Sequence, residues 1–133
     1  MELVIFACVH NAGRSQMAAA LFNRHVRQGV ALAISDGTSP GEAVYPEVLA
    51  AMADVGVDLS GARPQRLAAE LADGARWLIT MGCGDRCPVL PGVQRDDWPL
   101  PDPKGRALPE VRAIRDDIER RVGRFLDAQG WSR

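Results

Sequence analysis

Cys8 and Arg14 lie six residues apart in a segment whose composition suits the binding and attack of an oxyanion. The segment follows an apolar run at 3–7 and precedes a helical pattern, so it is predicted to connect a strand to a helix N-terminus. Successive backbone N–H groups converge in such a loop, where the helix dipole adds partial positive charge. A tetrahedral oxyanion would lie above the Cys8 sulfur, and the planar guanidinium of Arg14 could bind two of its oxygens. The same field favours the thiolate, the nucleophilic form of Cys8.

The residues that follow Cys8 supply the other features of an oxyanion-binding loop. Asn11 and Gly13 tolerate unusual backbone dihedral angles, and Ser15 brings a hydroxyl group beside the thiol. The alternative is that Cys8 is a buried structural cysteine at the end of a strand. The predicted oxyanion-binding residues are Val9, His10, Asn11, Ala12, Gly13, Arg14 and Ser15.

Asp102 is the predicted general acid of the same site. It precedes Pro103 on a stiff turn after a predicted strand, so its carboxyl could reach over the loop and protonate a departing oxygen. An aspartate before proline is also a common turn former. The presence of Cys8 and Arg14 in the same predicted site favours the role of Asp102 as an acid.

Cys83 and Cys87 are four residues apart, a spacing that brings two thiols together if the segment coils through one helical turn. Neither has an arginine six residues later, as Cys8 does. Their functional interpretation is a resolving pair, because a thiolate that has bonded to an oxidant or an oxyanion needs a second thiol to release it as a disulfide. The alternative is that both are small packing residues.

The composition excludes several other classes of protein. A net charge of −1 offers no electrostatic footprint for nucleic acid or a membrane surface, and no segment approaches the roughly 18 apolar residues that a membrane span needs. The N-terminus has neither a basic region nor a cleavage site, so we expect no signal peptide and a cytoplasmic location. Three cysteines are too few for a disulfide framework, and with two distant histidines they predict no metal site.

The elements that position these residues alternate between strands and helices in one domain, 1–133. Apolar, β-branched runs predict strands at 3–7, 30–34 and 76–81, with a short fourth strand in 94–100. Helical periodicity and stop signals predict helices at 16–28, 46–55, 64–71 and 108–128. Residues 35–41 are predicted to form a solvated loop, and 82–106 a long irregular stretch of the kind that is usually functional. The alternation implies an α/β fold, a doubly wound four-stranded parallel sheet with helices on both faces.

Three motifs make the chain resemble the arsenate reductases built on the low-molecular-weight protein tyrosine phosphatase fold. They are Cys-Val-His-Asn-Ala-Gly-Arg-Ser-Gln-Met-Ala at 8–18, Thr-Met-Gly-Cys-Gly-Asp-Arg-Cys-Pro at 80–88 and Asp-Trp-Pro-Leu-Pro-Asp-Pro-Lys-Gly at 97–105. The resemblance implies that Cys8 attacks arsenic, that Arg14 and the loop amides bind the arsenate oxygens, and that Asp102 protonates the departing oxygen. It further implies that Ser15 hydrogen-bonds the thiolate and that a second thiol then releases arsenite from Cys8.

Departures from the phosphatase branch favour a small inorganic substrate. Phosphatases that resemble this chain commonly carry a second cysteine where it has Gly13, and aromatic residues where it has Lys104 and Gly105. Without aromatic walls, a phosphotyrosine ring has little to stack on. Tyrosine phosphatase is therefore the alternative enzyme, and a non-enzymatic oxyanion-binding or redox-sensing protein is the alternative of another class.

The reductant is a thiol co-substrate, and no tightly bound cofactor is expected. In reductases that depend on thioredoxin, the two cysteines corresponding to Cys83 and Cys87 are typically further apart. The form Gly-Cys-Gly-Asp-x-Cys-Pro is similar to relatives that use mycothiol with a glutaredoxin-like partner. The resemblance leaves two donors open, mycothiol or an intramolecular relay to thioredoxin.

Overall fold

A four-stranded sheet and three helices make up the regular structure of the described chain. The computed structural model describes residues 1–68, 73–82 and 90–133. The strands are β1 (Glu2–Cys8), β2 (Ala31–Gly37), β3 (Trp77–Thr80) and β4 (Gln94–Asp97). The helices are α1 (Arg14–His25), α2 (Pro46–Ala53) and α3 (Leu108–Gln129). In these ranges no helix is both long and apolar enough to cross a bilayer.

All the strand pairs are parallel, in the order β2-β1-β3-β4. The predicted four-stranded parallel sheet is therefore confirmed. The last residue of β1, Cys8, pairs with Gly37 of β2, and Ala7 pairs with Thr80 of β3. The carboxyl ends of the strands thus meet at one edge, which is where open α/β sheets bind ligands.

The two faces of the sheet bury separate apolar clusters. Val4 and Phe6 of β1 belong to the larger cluster, which takes in the buried sides of all three helices. Ile5 and Ala7 alternate to the opposite face, where they pack with Leu78 and with partly buried side chains of the connecting segments. The predicted α3 is confirmed, since its apolar stripe is buried as expected: Val111, Ile114, Ile118, Val122 and Phe125.

Two predicted boundaries beside the loop are wrong. Helix α1 begins at Arg14, two residues earlier than predicted, because Gly13 already accepts the hydrogen bond from the Met17 N–H. Strand β2 continues to Gly37, so Ser35 and Asp36 are buried in the sheet and are not part of a solvated loop. The reason is that β2 stays paired with β1 up to its last residue, Gly37, which lies opposite Cys8.

The helix predicted to begin at Pro64 is also wrong over residues 64–68. This segment instead runs along the end of β2, where Arg66 forms a parallel bridge with Gly37. Gly37 donates its N–H to Gln65 O at 2.9 Å and accepts from the Leu67 N–H at 2.9 Å. Pairing with the open edge of β2 satisfies these backbone groups and overrides the local helical pattern. Residues 69–71, the rest of the predicted helix, lie outside the described chain.

Candidate active site

The loop between β1 and α1 turns its carbonyl groups outward. The segment 38–45 wraps around the loop, and its N–H groups donate to the loop carbonyls. These four bonds are Thr38 to Cys8 at 3.2 Å, Ser39 to Val9 at 2.8 Å, Gly41 to His10 at 2.9 Å and Tyr45 to Ala12 at 3.0 Å. A ring of outward carbonyls leaves the N–H groups of the same peptides to face the interior of the loop.

The loop N–H groups form an anion-binding nest. Across the part of the chain that the structure describes, no backbone N–H of residues 9–15 donates to a protein acceptor, although 11–15 are buried. Gly13 caps α1 without a side-chain hydrogen bond, and the first turn of α1 contains no acidic residue. Buried N–H groups at an uncompensated helix N-terminus require an acceptor, and a bound anion is the natural one.

Asn11 holds the loop in shape from inside. Its backbone adopts φ +50°, as predicted for an unusual dihedral, and its side chain is fully buried. The amide Nδ2 donates to Ser15 Oγ at 2.8 Å, while Oδ1 accepts from the Gln65 N–H at 2.9 Å and from Gln16 Nε2 at 3.2 Å. Its side chain therefore ties the loop to α1 and to the segment 64–68, and only its backbone N–H is left for an oxyanion.

Close packing gives Gly13 a second reason to be glycine, besides its backbone conformation. Its φ of −145° and ψ of −91° lie outside the regular helical and extended regions, so the predicted unusual dihedral angles are confirmed. A Cβ at this position would lie 2.7 Å from Pro103 Cγ and 3.3 Å from Tyr45 Cδ2. Close approach of these two rings to the loop excludes a side chain.

Cys8 lies at the base of the nest with a hydroxyl beside its sulfur. Its side chain is 2% exposed, and Sγ is 2.9 Å from Ser15 Oγ. Ser15 Oγ already accepts the hydrogen bond from Asn11, so its own proton is available to the sulfur.

Arg14 spans the side of the nest and leaves part of its guanidinium unpaired. Nη1 donates to Leu100 O at 2.9 Å, and Nη2 is 3.8 Å from Asp102 Oδ2. Nε is buried and has no partner among the described residues. A bound oxyanion would accept a hydrogen bond from this N–H group. Gly82, at φ +95°, packs against the guanidinium so closely that a Cβ would lie 2.4 Å from Nη1.

Asp102 is at the mouth of the site, where the general-acid prediction requires it. Oδ2 faces Arg14, while Oδ1 accepts from the Lys104 N–H at 3.1 Å. Gly105 donates its N–H to Glu47 Oε1 at 3.0 Å, which ties the turn to the first turn of α2. The residue is therefore a turn former and a carboxyl facing the site at once, and its role as an acid stays a prediction.

Tyr45 is a part of the site that the sequence analysis missed. It immediately precedes α2, and its partly buried ring lies against the loop. Burial raises the pKa of its phenol, as do the nearby charges of Asp102 and Cys8, and Arg14 acts in the opposite direction. The signal in the sequence was slight: one tyrosine before a helix-starting proline.

Cys83 and Cys87 lie outside the described residues, so their pairing stays a prediction. Of the other predicted residues, the structure brings Cys8, Arg14 and Asp102 to one place. The described ranges contain no group of three or more His, Cys, Asp or Glu side chains that could hold a metal ion.

A parallel sheet whose first strand delivers a cysteine into an anion-binding nest, with an arginine and an opposed aspartate, defines a class of phosphatase-like proteins. The sequence pattern of the low molecular weight phosphotyrosine protein phosphatases matches residues 3–130, and the chain belongs to this family.

The similar proteins include arsenate reductases. A Halobacterium salinarum protein provisionally named an arsenate reductase is 37% identical, over 92% of this chain and 89% of its own. The glutaredoxin arsenate reductase of Synechocystis is 34% identical, over 95% and 97% of the two chains. The solved structure of a thioredoxin-dependent arsenate reductase from Corynebacterium glutamicum has a TM-score of 0.82 and 34% identity, and it aligns with 96% of this chain. This chain spans 61% of that protein.

Proposed function

We propose that this protein is an arsenate reductase that uses Cys8 as its nucleophile. The observation that carries the proposal is the Cys8 sulfur, 2.9 Å from a hydroxyl and beneath loop N–H groups that have no acceptor in the described chain. Arsenate is a tetrahedral oxyanion that such donors can bind. Arsenate reductases that are 34% to 37% identical over most of this chain support the choice of substrate.

The proposed chemistry begins with attack of the Cys8 thiolate on arsenic. A sulfur–arsenic bond forms, an arsenic–oxygen bond breaks, and Asp102 supplies a proton so that the oxygen departs as water. A second thiolate then attacks the Cys8 sulfur. A disulfide forms, the sulfur–arsenic bond breaks, and its electron pair leaves with arsenic as arsenite. Two thiols lose two electrons, which are the two that arsenic(V) gains.

A phosphatase is the second candidate, favoured by the family pattern and by the suitability of the nest for phosphate. The test compares arsenate-dependent thiol consumption with hydrolysis of p-nitrophenyl phosphate on the same preparation. We expect repeated turnovers with arsenate and little hydrolysis. Dominant hydrolysis with inert arsenate would make the protein a phosphatase, and binding without turnover would make it a non-enzymatic oxyanion-binding protein.

Cys8→Ser provides the matched control for this test. It should abolish reduction and preserve oxyanion binding, because the N–H groups and Arg14 remain. The measurement is arsenite production beside calorimetric binding of inorganic phosphate. Reduction by Cys8→Ser would contradict the assignment of the nucleophile.

The second thiol is proposed to come either from mycothiol, with a glutaredoxin-like partner, or from a relay of Cys83 and Cys87 to thioredoxin. The similar reductases include one named for glutaredoxin and one that depends on thioredoxin, which supports a thiol donor for this protein. Cys83→Ser and Cys87→Ser should be assayed with each donor. Full activity of both variants with mycothiol would exclude the relay, and loss of activity in both would support it. We also propose a cytoplasmic location, where such thiols are kept reduced.

A further inference from the structure

Tyr45 and Pro103 close the loop on one side. The Tyr45 N–H donates to Ala12 O at 3.0 Å, which fixes the start of α2 against the loop. A Cβ on Gly13 would meet both rings, at 3.3 Å from Tyr45 Cδ2 and 2.7 Å from Pro103 Cγ. The two rings therefore leave less room above Gly13 than one methyl group occupies.

The two rings lie next to Asp102, the predicted general acid at the mouth of the site. Asp102 directly precedes Pro103 and lies 3.8 Å from Arg14, so the carboxyl and the proline ring belong to one turn over the loop. The oxygen that Asp102 would protonate is the one that carries the organic group in a phosphate monoester. An organic group at that oxygen would lie beside the rings of Tyr45 and Pro103.

We propose that Tyr45 is a specificity-determining residue whose ring restricts the site to bare tetrahedral oxyanions and excludes their aryl esters. The inference rests on the proposed function and deepens it, since it says why a loop that suits phosphate esters would prefer an inorganic anion. If the Tyr45 ring stacked on the phenyl group of an ester, that phenyl ring, about 3.5 Å thick, would need space between Tyr45 and the loop. Tyr45 Cδ2 instead lies 3.3 Å from the place that a Cβ on Gly13 would take, which leaves no space for a second ring there.

The test compares two variants in the Cys8→Ser background, where no turnover consumes the ligand. Tyr45→Ser removes the ring, and serine is a favourable N-cap for α2, to which Tyr45 contributes no side-chain capping bond. Tyr45→Phe keeps the ring and removes the hydroxyl. Calorimetry measures the affinity of each variant for phenyl phosphate and for inorganic phosphate, and circular dichroism checks the fold.

We expect Tyr45→Ser to raise the affinity for phenyl phosphate relative to phosphate by about tenfold, since removing a steric obstacle of this kind changes discrimination by that order. Tyr45→Phe should leave the ratio unchanged. An unchanged ratio in Tyr45→Ser, or weaker binding of phenyl phosphate, would overturn the inference.

The same data separate this inference from the proposed function. If the Cys8→Ser parent binds phosphate but Tyr45→Ser does not change the ratio of the two affinities, only the role of Tyr45 is refuted. If the parent binds neither anion, the oxyanion site itself is refuted, and the role of Tyr45 with it. If Tyr45→Ser does not fold, Tyr45→Leu, smaller and apolar, is measured in its place with the same expected and contrary outcomes.

Discussion

At the scale of single residues, the loop depends as much on Asn11 as on the residues predicted to react. The side chain of Asn11 joins Ser15 and Gln16 of α1 to the Gln65 backbone, which is distant in the chain. Through Ser15 it also orients the hydroxyl that faces the Cys8 sulfur. Asn11 is thus a positioning residue, and asparagine suits its φ of +50° better than most residues do.

Replacing Asn11 by alanine should cost both stability and activity. The change leaves buried hydrogen-bonding groups without partners, at about 1–3 kcal/mol each. Denaturant unfolding should show a loss of about 2–4 kcal/mol, and the turnover rate should fall more than about tenfold. The matched control is Asn23→Ala, which breaks two bonds to Ala33, at 2.9 and 2.8 Å, away from the loop. Equal losses of activity in the two variants would refute a specific role for Asn11.

At the scale of elements, α2 positions the turn that carries Asp102, the predicted general acid. Its first turn supplies Glu47, whose Oε1 accepts the Gly105 N–H at 3.0 Å. The residue before the helix, Tyr45, contacts the loop. One short helix therefore connects the turn that carries Asp102 to the loop.

Glu47→Ala should lower the turnover rate about three- to tenfold, because Asp102 would be positioned less precisely. Glu47→Gln keeps an acceptor oxygen and should recover most of the loss. Oxyanion binding by the loop should be unchanged, so the effect falls on kcat more than on KM. Glu42→Ala, an exposed acid before the helix, controls for the loss of charge. A Glu47→Gln variant as slow as Glu47→Ala would contradict the role of this hydrogen bond.

At the scale of the whole molecule, Asp36 makes the fold sensitive to pH. It is fully buried near the carboxyl end of β2, in register with Ala7, and neither carboxyl oxygen has a hydrogen-bond partner among the described residues. Burial raises the pKa of Asp36 from 3.8 to about 6, and the nearby Gln65 side chain opposes this shift. Between pH 3.8 and about 6, Asp36 therefore keeps its proton in the folded state and loses it in the unfolded state.

The stabilisation from this proton is complete below pH 3.8 and is lost as the pH rises through about 6. Asp36→Asn should therefore gain stability relative to the wild type by about 2 kcal/mol between about pH 4.5 and about pH 7.5. Urea unfolding at the two pH values measures the free energy of unfolding of the variant and of the wild type. A cost of burying the amide that does not depend on pH cancels when the two differences are compared.

Asp58→Asn is the control of opposite sign for the pH measurement. Asp58 is exposed, and hydrogen bonds from Ser60 lower the pKa of its carboxyl. Its stabilising contribution is present above its ordinary pKa and is lost as the pH falls through the lowered one. If the difference in the free energy of unfolding between Asp36→Asn and the wild type does not change with pH, Asp36 titrates as an exposed aspartate does and the prediction is wrong.

Local patterns in the sequence determined the parallel sheet, helix α3 and the loop from Cys8 to Arg14. Each of these rests on information carried by neighbouring residues: apolar periodicity, helix stop signals, and the spacing of a thiol and a guanidinium after a strand. The position of Asp102 over the loop was predictable for a related reason. In parallel sheets, segments that follow strands gather at one edge.

Tertiary structure alone decided the path of residues 64–68, the close packing around Gly13 and the place of Tyr45. Residues 64–68 have a helical pattern, but the open edge of β2 offered their backbone groups hydrogen bonds that no local pattern encodes. A side chain at Gly13 is also excluded because Pro103 and Tyr45, distant in sequence, approach it in space. Contacts between segments far apart in the chain depend on how the elements pack, and spacing along the chain does not record them.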